Sequence, residues 1–202
     1  MKNLNIFNHK IYLATTRLVM RPLNYADISI LAEVAINDEI WQTYSFSISN
    51  IDELKNYVIK YINEKNENKR YTFILESLYD SKVIGLSSIY NFGKDEVEIG
   101  GTWIGIPFQK LYYNFESKFL LLSFCFEYLN LKRVVFHTDS RNYKSLSLYN
   151  KIGAKFYYTK KSKHLNEFGE NRESLYYKME LETWKEIKYN VFDNLVSSKT
   201  LP

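Results

Sequence analysis

The stretch from Asn114 to Gly153 constrains the fold more than any other part of the chain. It opens with a run to Leu129 that is apolar around most of a helical circumference, through Phe119, Leu121, Leu122, Phe124 and Phe126. A helix of that kind needs cover on several sides. Arg133 to Thr138 follows as a short β-branched strand, and Asn142 then stands where a helix N-cap belongs. The helix runs to Ile152, and Gly153 stops it in the left-handed cap position that glycine adopts without strain. Phe156 to Thr159 reads as a strand again. A strand–helix–strand crossover beside a buried helix implies layered α and β structure.

The rest of the chain supplies the partners for these elements. Ile11 to Leu23 reads as an opening strand with Leu18, Met20 and Pro22 on one face. Asn24 caps an expected helix from Tyr25 to Asn37, and Ser49 or Asn50 caps another from Ile51 to Glu64. After a polar turn, Lys65 to Arg70, three strand signals follow at Tyr71 to Glu76, Lys82 to Tyr90 and Val97 to Ile104. Their short turn-like links predict an antiparallel meander. Gly100 and Gly101 fall inside the third strand, which predicts a bulge or the close approach of another backbone. A turn at Asn166 to Arg172, a strand at Leu175 to Leu181 and a helix from Trp184 to Leu195 complete an α+β chain. No repeat, low-complexity tract or Gly/Ser linker divides it, so residues 1–202 read as a single domain.

Composition narrows the function classes. With 46% hydrophobic and 25% charged residues, the chain is expected to be globular. A net charge of +4, spread among acidic residues, gives no concentrated stripe for nucleic acid but would suit an anionic cofactor. The longest apolar region, Phe119 to Phe126, is interrupted by Ser123 and is far short of a membrane span. Cys125 is the only cysteine, which excludes an intrachain disulfide and fits a reducing cytoplasm. Its apolar helical surroundings predict a buried core thiol. His9 and His164 show no metal-ligand spacing, so no metal is expected.

Several pieces of sequence occur in an order that resembles one family. They are Thr16 to Leu23, Ile84-Gly85, Glu98-Ile99-Gly100-Gly101-Thr102-Trp103, Phe108-Gln109, Asn114 to Lys118, Arg133-Val134, Thr138 to Asn142, and Ser145 to Gly153. In this order they resemble the GNAT superfamily of acyl-CoA N-acyltransferases over roughly Tyr12 to Phe192. The closest likeness is to the branch that includes ribosomal-protein serine and alanine N-terminal acetyltransferases. The resemblance implies a mixed, mostly antiparallel central sheet, splayed at a bulged strand and flanked by helices in an α/β sandwich. It implies acetyl transfer from acetyl-CoA to a primary amine by direct attack, with no acyl-enzyme. The acceptor would be a protein N-terminus, a small amine, an amino sugar or an antibiotic, and the protein a monomer or homodimer.

The family's pyrophosphate turn, Q/R-x-x-G-x-G/A, falls on Gln109, Lys110, Leu111, Tyr112, Tyr113 and Asn114. Backbone N–H groups at a helix N-terminus hold phosphate there. Tyr112 replaces the first glycine and Asn114 the second small residue, so a GNAT-fold binding module with weak or no catalysis is the alternative reading. The resemblance places pantetheine contacts at Asn142 and Ser145. It places N–H donors to the thioester at about Thr102 to Ile106, including Trp103 and Ile104.

Tyr149, seven residues after Asn142, stands where many superfamily members carry the tyrosine that protonates the leaving thiolate, and it reads equally as a core aromatic. Glu98 is the first candidate for a base acting on the amine, with a solvated strand carboxylate as the plain alternative, and His137 is the alternative base. Asp139 reads as an ordering group for the turn before Asn142. Trp41, Tyr44 and Phe46 are candidates for an aromatic acceptor pocket, though packing would explain them as well.

Overall fold

The computed structural model describes residues 6–110, 112–165 and 171–196. The expected turn at Asn166 to Arg172 therefore lies largely outside the described residues. One eight-stranded sheet organises the chain, in the order β1-β2-β3-β4-β5-β6-β8-β7. Its strands are β1 (Leu13–Ala14), β2 (Leu18–Pro22), β3 (Arg70–Ser77), β4 (Val83–Tyr90), β5 (Glu96–Ile104), β6 (Arg133–Asp139), β7 (Lys155–Leu165) and β8 (Asn171–Glu180). Every neighbouring pair is antiparallel except β5 and β6. The helices are α1 (Ile28–Ala35), α2 (Asp38–Trp41), α3 (Ile51–Asn66), α4 (Tyr113–Ser123), α5 (Tyr143–Lys151), α6 (Leu181–Val191) and α7 (Asp193–Val196).

Strand alternation divides the sheet's side chains between two cores. Tyr71, Phe73 and Leu75 of β3 face one side with Ile84 and Ile89 of β4, packed against α4 and the C-terminal helices. Ile74, Val83, Leu86 and Trp103 face the other, beneath α1, α2 and α3. The sheet is thus covered on both faces, which is the expected sandwich.

Three sequence readings need correction. The opening strand is broken: Thr15 Oγ1 accepts the N–H groups of Arg17 and Leu18, which turns the chain between β1 and β2. The first helix is also composite. Asn24 and Asp27 form a reciprocal capping box around a 3₁₀ turn, α1 begins only at Ile28, and Asn37 caps the separate short α2. Finally, the long helix from α4 continues as a π-helical turn, Phe124–Tyr128. The wider winding turns less per residue, so Phe124, Cys125 and Phe126 all reach the core in succession.

α4 carries two buried charged groups. Glu116 is 1% exposed and receives Thr15 Oγ1 at 2.6 Å and the Arg17 guanidinium, which ties the N-terminal strands to the helix. Lys118 is 2% exposed and donates only to neutral oxygens, Thr102 Oγ1 at 2.9 Å and Asn114 Oδ1 at 3.2 Å. Burial lowers its pKa to about 7. Between that value and the unfolded value of ~10.4 the unfolded chain binds more protons, so this group makes stability rise with pH. The penalty is complete below the folded pKa. We predict that the stability of Lys118→Met relative to wild type is greater at pH 6 than at pH 9, by on the order of 2 kcal/mol. Urea unfolding at the two pH values measures it, and a pH-independent difference would contradict it.

Candidate active site

β5 and β6 pair in parallel over only three residues, Glu96 to Glu98 against Arg133 to Val135. Beyond Glu98 the two strands part, and a fork opens in the sheet. The β4–β5 ladder is irregular at the same level. Ser88 pairs with Gly100 but Leu86 pairs with Trp103, so Gly101 and Thr102 together oppose Ser87. Gly101 has φ 58°, a left-handed value that favours glycine at the bulge. Gly100 serves a different need. A Cβ there would lie 2.5 Å from Tyr90 Oη, so the close approach is to a side chain rather than to another backbone.

A pocket of about 200 Å³ fills the fork. One arm supplies Gly100, Gly101 and Thr102, the other His137, Thr138 and Asp139. Asn114 and Lys118 come from α4, Asn142, Ser145 and Tyr149 from α5, and Tyr44 and Phe46 from the loop after α2.

Glu98 sits at the fork's apex, 5% exposed, and does not line the pocket. Its carboxylate is held from three sides, by His137 Nδ1, by Tyr90 Oη at 3.0 Å and by Asn91 Nδ2 at 2.8 Å. Burial pushes its pKa up, but the hydrogen bonds outweigh burial and hold the group below the ordinary carboxylate value. Glu98 is therefore ionised and accepts a proton-bearing Nδ1. The contact through Nδ1 turns Nε2 of His137 away from the carboxylate, and Nε2 has no hydrogen-bond partner among the described residues. The imidazole is also fixed by stacking, 5.1 Å from the Tyr176 ring, which stacks in turn on Tyr158 at 4.4 Å.

Tyr149 is buried and donates to the carbonyl of His137 at 3.1 Å. Burial raises its pKa, so the phenol keeps its proton. Asn142 is the N-cap of α5: its Oδ1 accepts from Ser145 N at 3.1 Å, and its Nδ2 donates to Thr43 Oγ1 at 3.0 Å across the pocket mouth. Asp139 accepts from Arg141 N and Nε, both at 2.9 Å, and its carbonyl accepts from Asn142 N.

The other sequence candidates divide. Tyr44 lines the pocket and donates to the carbonyl of Thr102, and Phe46 lies beside it. Trp41 does not reach the pocket. It packs behind Tyr44, Phe46 and Trp103, with its indole donating to Ala35 O at 2.9 Å. Of the expected thioester donors, Gly105 N is already bonded to Ile84 O at 2.8 Å, and Trp103 and Ile104 are buried outside the pocket. Gln109 bridges Ile104 O and Lys144 Nζ, at 3.0 and 2.9 Å. Tyr113 is a core residue bonded to Ser77 Oγ at 2.9 Å, Lys110 is exposed, and Leu111 lies outside the described residues.

Tyr112 adopts φ 65° and ψ 2°, the left-handed conformation for which glycine is suited, and its exposed ring lies under Lys151 Nζ at 5.1 Å. The ring is exposed and shares Lys151 with Phe115 of α4, and no side chain caps the α4 N-terminus. Two residues that line the pocket, Arg70 and Lys118, were not anticipated from sequence. Arg70 sits in what reads as a polar turn, and Lys118 lies in a helix read as apolar around most of its circumference. No cluster of metal-ligating residues occurs among the described residues, and none of the helices described is long and apolar enough to cross a membrane.

Comparison with known proteins places this geometry. The family model described as an acetyltransferase (GNAT) domain matches residues 17–155, well over half the chain. No curated protein matches it. Among solved structures, a GCN5-related N-acetyltransferase from Brucella melitensis superposes with TM-score 0.83 at 15% identity, over 93% of this chain and 86% of that one. A candidate ribosomal-protein-serine acetyltransferase from Vibrio cholerae gives 0.70 at 20%, covering 84% and 97%. FdhC, described as a nucleotide-linked sugar GNAT, gives 0.70 at 22%, covering 93% and 99%. With the forked sheet, the bulged strand and a domain match across both, the chain belongs to the GNAT acetyltransferase family.

Proposed function

We propose that the protein is an acetyl-CoA-dependent N-acetyltransferase whose chemistry takes place in the fork between β5 and β6, with His137 as the base and Glu98 as its orienting partner. The Glu98–His137 pair carries this reading, because it places an ionised, hydrogen-bonded carboxylate behind an imidazole that faces the pocket. Glu98 itself has its oxygens occupied by three donors and has little capacity left to take a proton from an amine.

Several residues fit acetyl-CoA. The α4 N-terminus, without a side-chain cap, offers free backbone N–H groups to a pyrophosphate, and Lys110, Lys144 and Lys151 surround that turn. Asn142 and Ser145 border the pocket where the pantetheine arm would pass. When bound, the thioester supplies the acyl electrophile. His137 Nε2 takes the proton that the attacking amine must lose, and the negative charge on Glu98 stabilises the imidazolium that results. Backbone N–H groups at the Gly101–Thr102 bulge stabilise the developing oxyanion. Tyr149 borders the pocket with its proton in place and gives it to the leaving thiolate as that charge develops.

The binding-module alternative drew its support from Tyr112. Since Tyr112 takes the glycine conformation and holds its ring outside, the substitution preserves the shape of the turn and costs strain instead. The proposal expects thiol release from acetyl-CoA with at least one primary amine. It further expects His137→Gln to lower kcat/KM by about 10²-fold or more, and Tyr149→Phe to lower kcat while acetyl-CoA affinity by calorimetry stays within threefold. Undiminished turnover in both variants would remove these roles. Tyr112→Gly should raise the unfolding free energy by about 0.5–1 kcal/mol with kcat little changed; a destabilised variant in a urea titration would contradict this.

A further inference from the structure

The wall of the fork away from His137 is more basic than recognition of an amine requires. Arg70, the first residue of β3, is clamped between two tyrosine rings, its guanidinium carbon 4.4 Å from the Tyr61 centroid and 4.0 Å from that of Tyr90. Its Nε is paired with Glu64. Its Nη1, however, is buried with no hydrogen-bond partner among the described residues. A Cβ on Gly101 would lie 3.5 Å from that nitrogen, 3.5 Å from Tyr61 Oη and 3.8 Å from Ser88 Oγ. Glycine at the bulge thus keeps a side chain out of a nook lined by N–H and O–H groups, and Arg70, Tyr61 and Gly101 all border the pocket.

A second cation meets the same pocket. Lys118 Nζ donates to two neutral oxygens and has no carboxylate partner among the described residues. Asp139 is the one carboxylate residue lining the pocket among the described residues, and it is engaged by Arg141. A buried guanidinium N–H without an acceptor is costly and is relieved by an anion, and an anion beside Lys118 would also favour the charged form that burial disfavours. An acceptor with several positive charges would meet repulsion instead.

We infer that the acceptor is a small amine that also carries a carboxylate, an amino acid in chemical class, with the carboxylate received by Arg70 at the Gly101 bulge and the amine presented to His137. This rests on the acetyl-transfer reading for its amine end only, because the anion subsite is defined by the Arg70 guanidinium, which has no part in the proposed chemistry. Polyamines and aminoglycosides lack a carboxylate, and the N-terminal residue of a peptide has an amide in place of its α-carboxylate.

The test uses α-, β- and γ-amino acids, each paired with its carboxamide, which keeps the amine and removes the negative charge. Turnover is followed by thiol release from acetyl-CoA, and binding by calorimetry on protein saturated with CoA. At least one amino acid is expected to exceed its carboxamide in kcat/KM by ~30-fold, the scale of a charge-assisted hydrogen bond. Arg70→Gln should raise the KM of the acid tenfold or more and that of the amide less than threefold. Arg70→Lys, which keeps the charge but not the planar fork, provides the comparison if the glutamine variant fails to fold. Equal use of acid and amide would overturn the carboxylate inference and leave acetyl transfer standing. Arg70-dependent binding of amino acids with no acetylation would support the carboxylate subsite and count against the catalytic reading. Absence of any amino-acid binding to the wild-type protein would overturn the inference.

Discussion

The separation of β5 from β6 after Glu98 is the constraint on which the rest of the site depends. Two strands that pair in parallel for three residues and then part leave backbone groups and inward-facing side chains without a neighbour. The structure meets that deficit from several directions. Tyr44 donates to the carbonyl of Thr102, while Lys118 and Ser87 engage its hydroxyl. On the other arm, Tyr149 donates to the carbonyl of His137. The Glu98–His137 contact bridges the two arms near their point of divergence. The fork is held open by polar contacts from helices and loops on both sides, so it exists as a cavity before any ligand enters.

This arrangement also explains why the polar residues of the site are so dependent on one another. Gly100 has no Cβ, which leaves room for Tyr90 Oη to reach Glu98. Glu98, in turn, holds His137 through Nδ1. Tyr90 also forms one face of the clamp around Arg70. A single strand-end tyrosine therefore touches both the carboxylate behind the proposed base and the proposed anion subsite, and the two ends of the pocket are built from one contiguous set of side chains.

Much of the fold was legible in the sequence because its signals are local. Asn50, Asn142 and Gly153 mark helix ends by their own backbone preferences, and each does so in the structure. The Gly100-Gly101 pair announced the irregular strand. What was missed depends on contacts distant in sequence. Nothing local shows that Glu98 is enclosed by Tyr90, Asn91 and His137, because His137 arrives from another strand. Arg70 looks like part of a charged turn until the sheet brings it under the bulge, and Lys118 looks like an interruption in an apolar helix until Thr102 is found against it. Trp41 was grouped with Tyr44 and Phe46 by proximity in the chain, yet α2 turns it into the core behind them. The Tyr112 position was legible as a departure from the family pattern, but its left-handed backbone was not.

The most direct test of the central claim is a crystal structure of the protein with CoA. The account predicts the pyrophosphate against the N-terminus of α4, the pantetheine arm entering between β5 and β6, and the sulfur within reach of Tyr149 and the bulge at Gly101–Thr102. Density for CoA at any other surface, or a fork closed by continued β5–β6 pairing with no ligand between the strands, would contradict it.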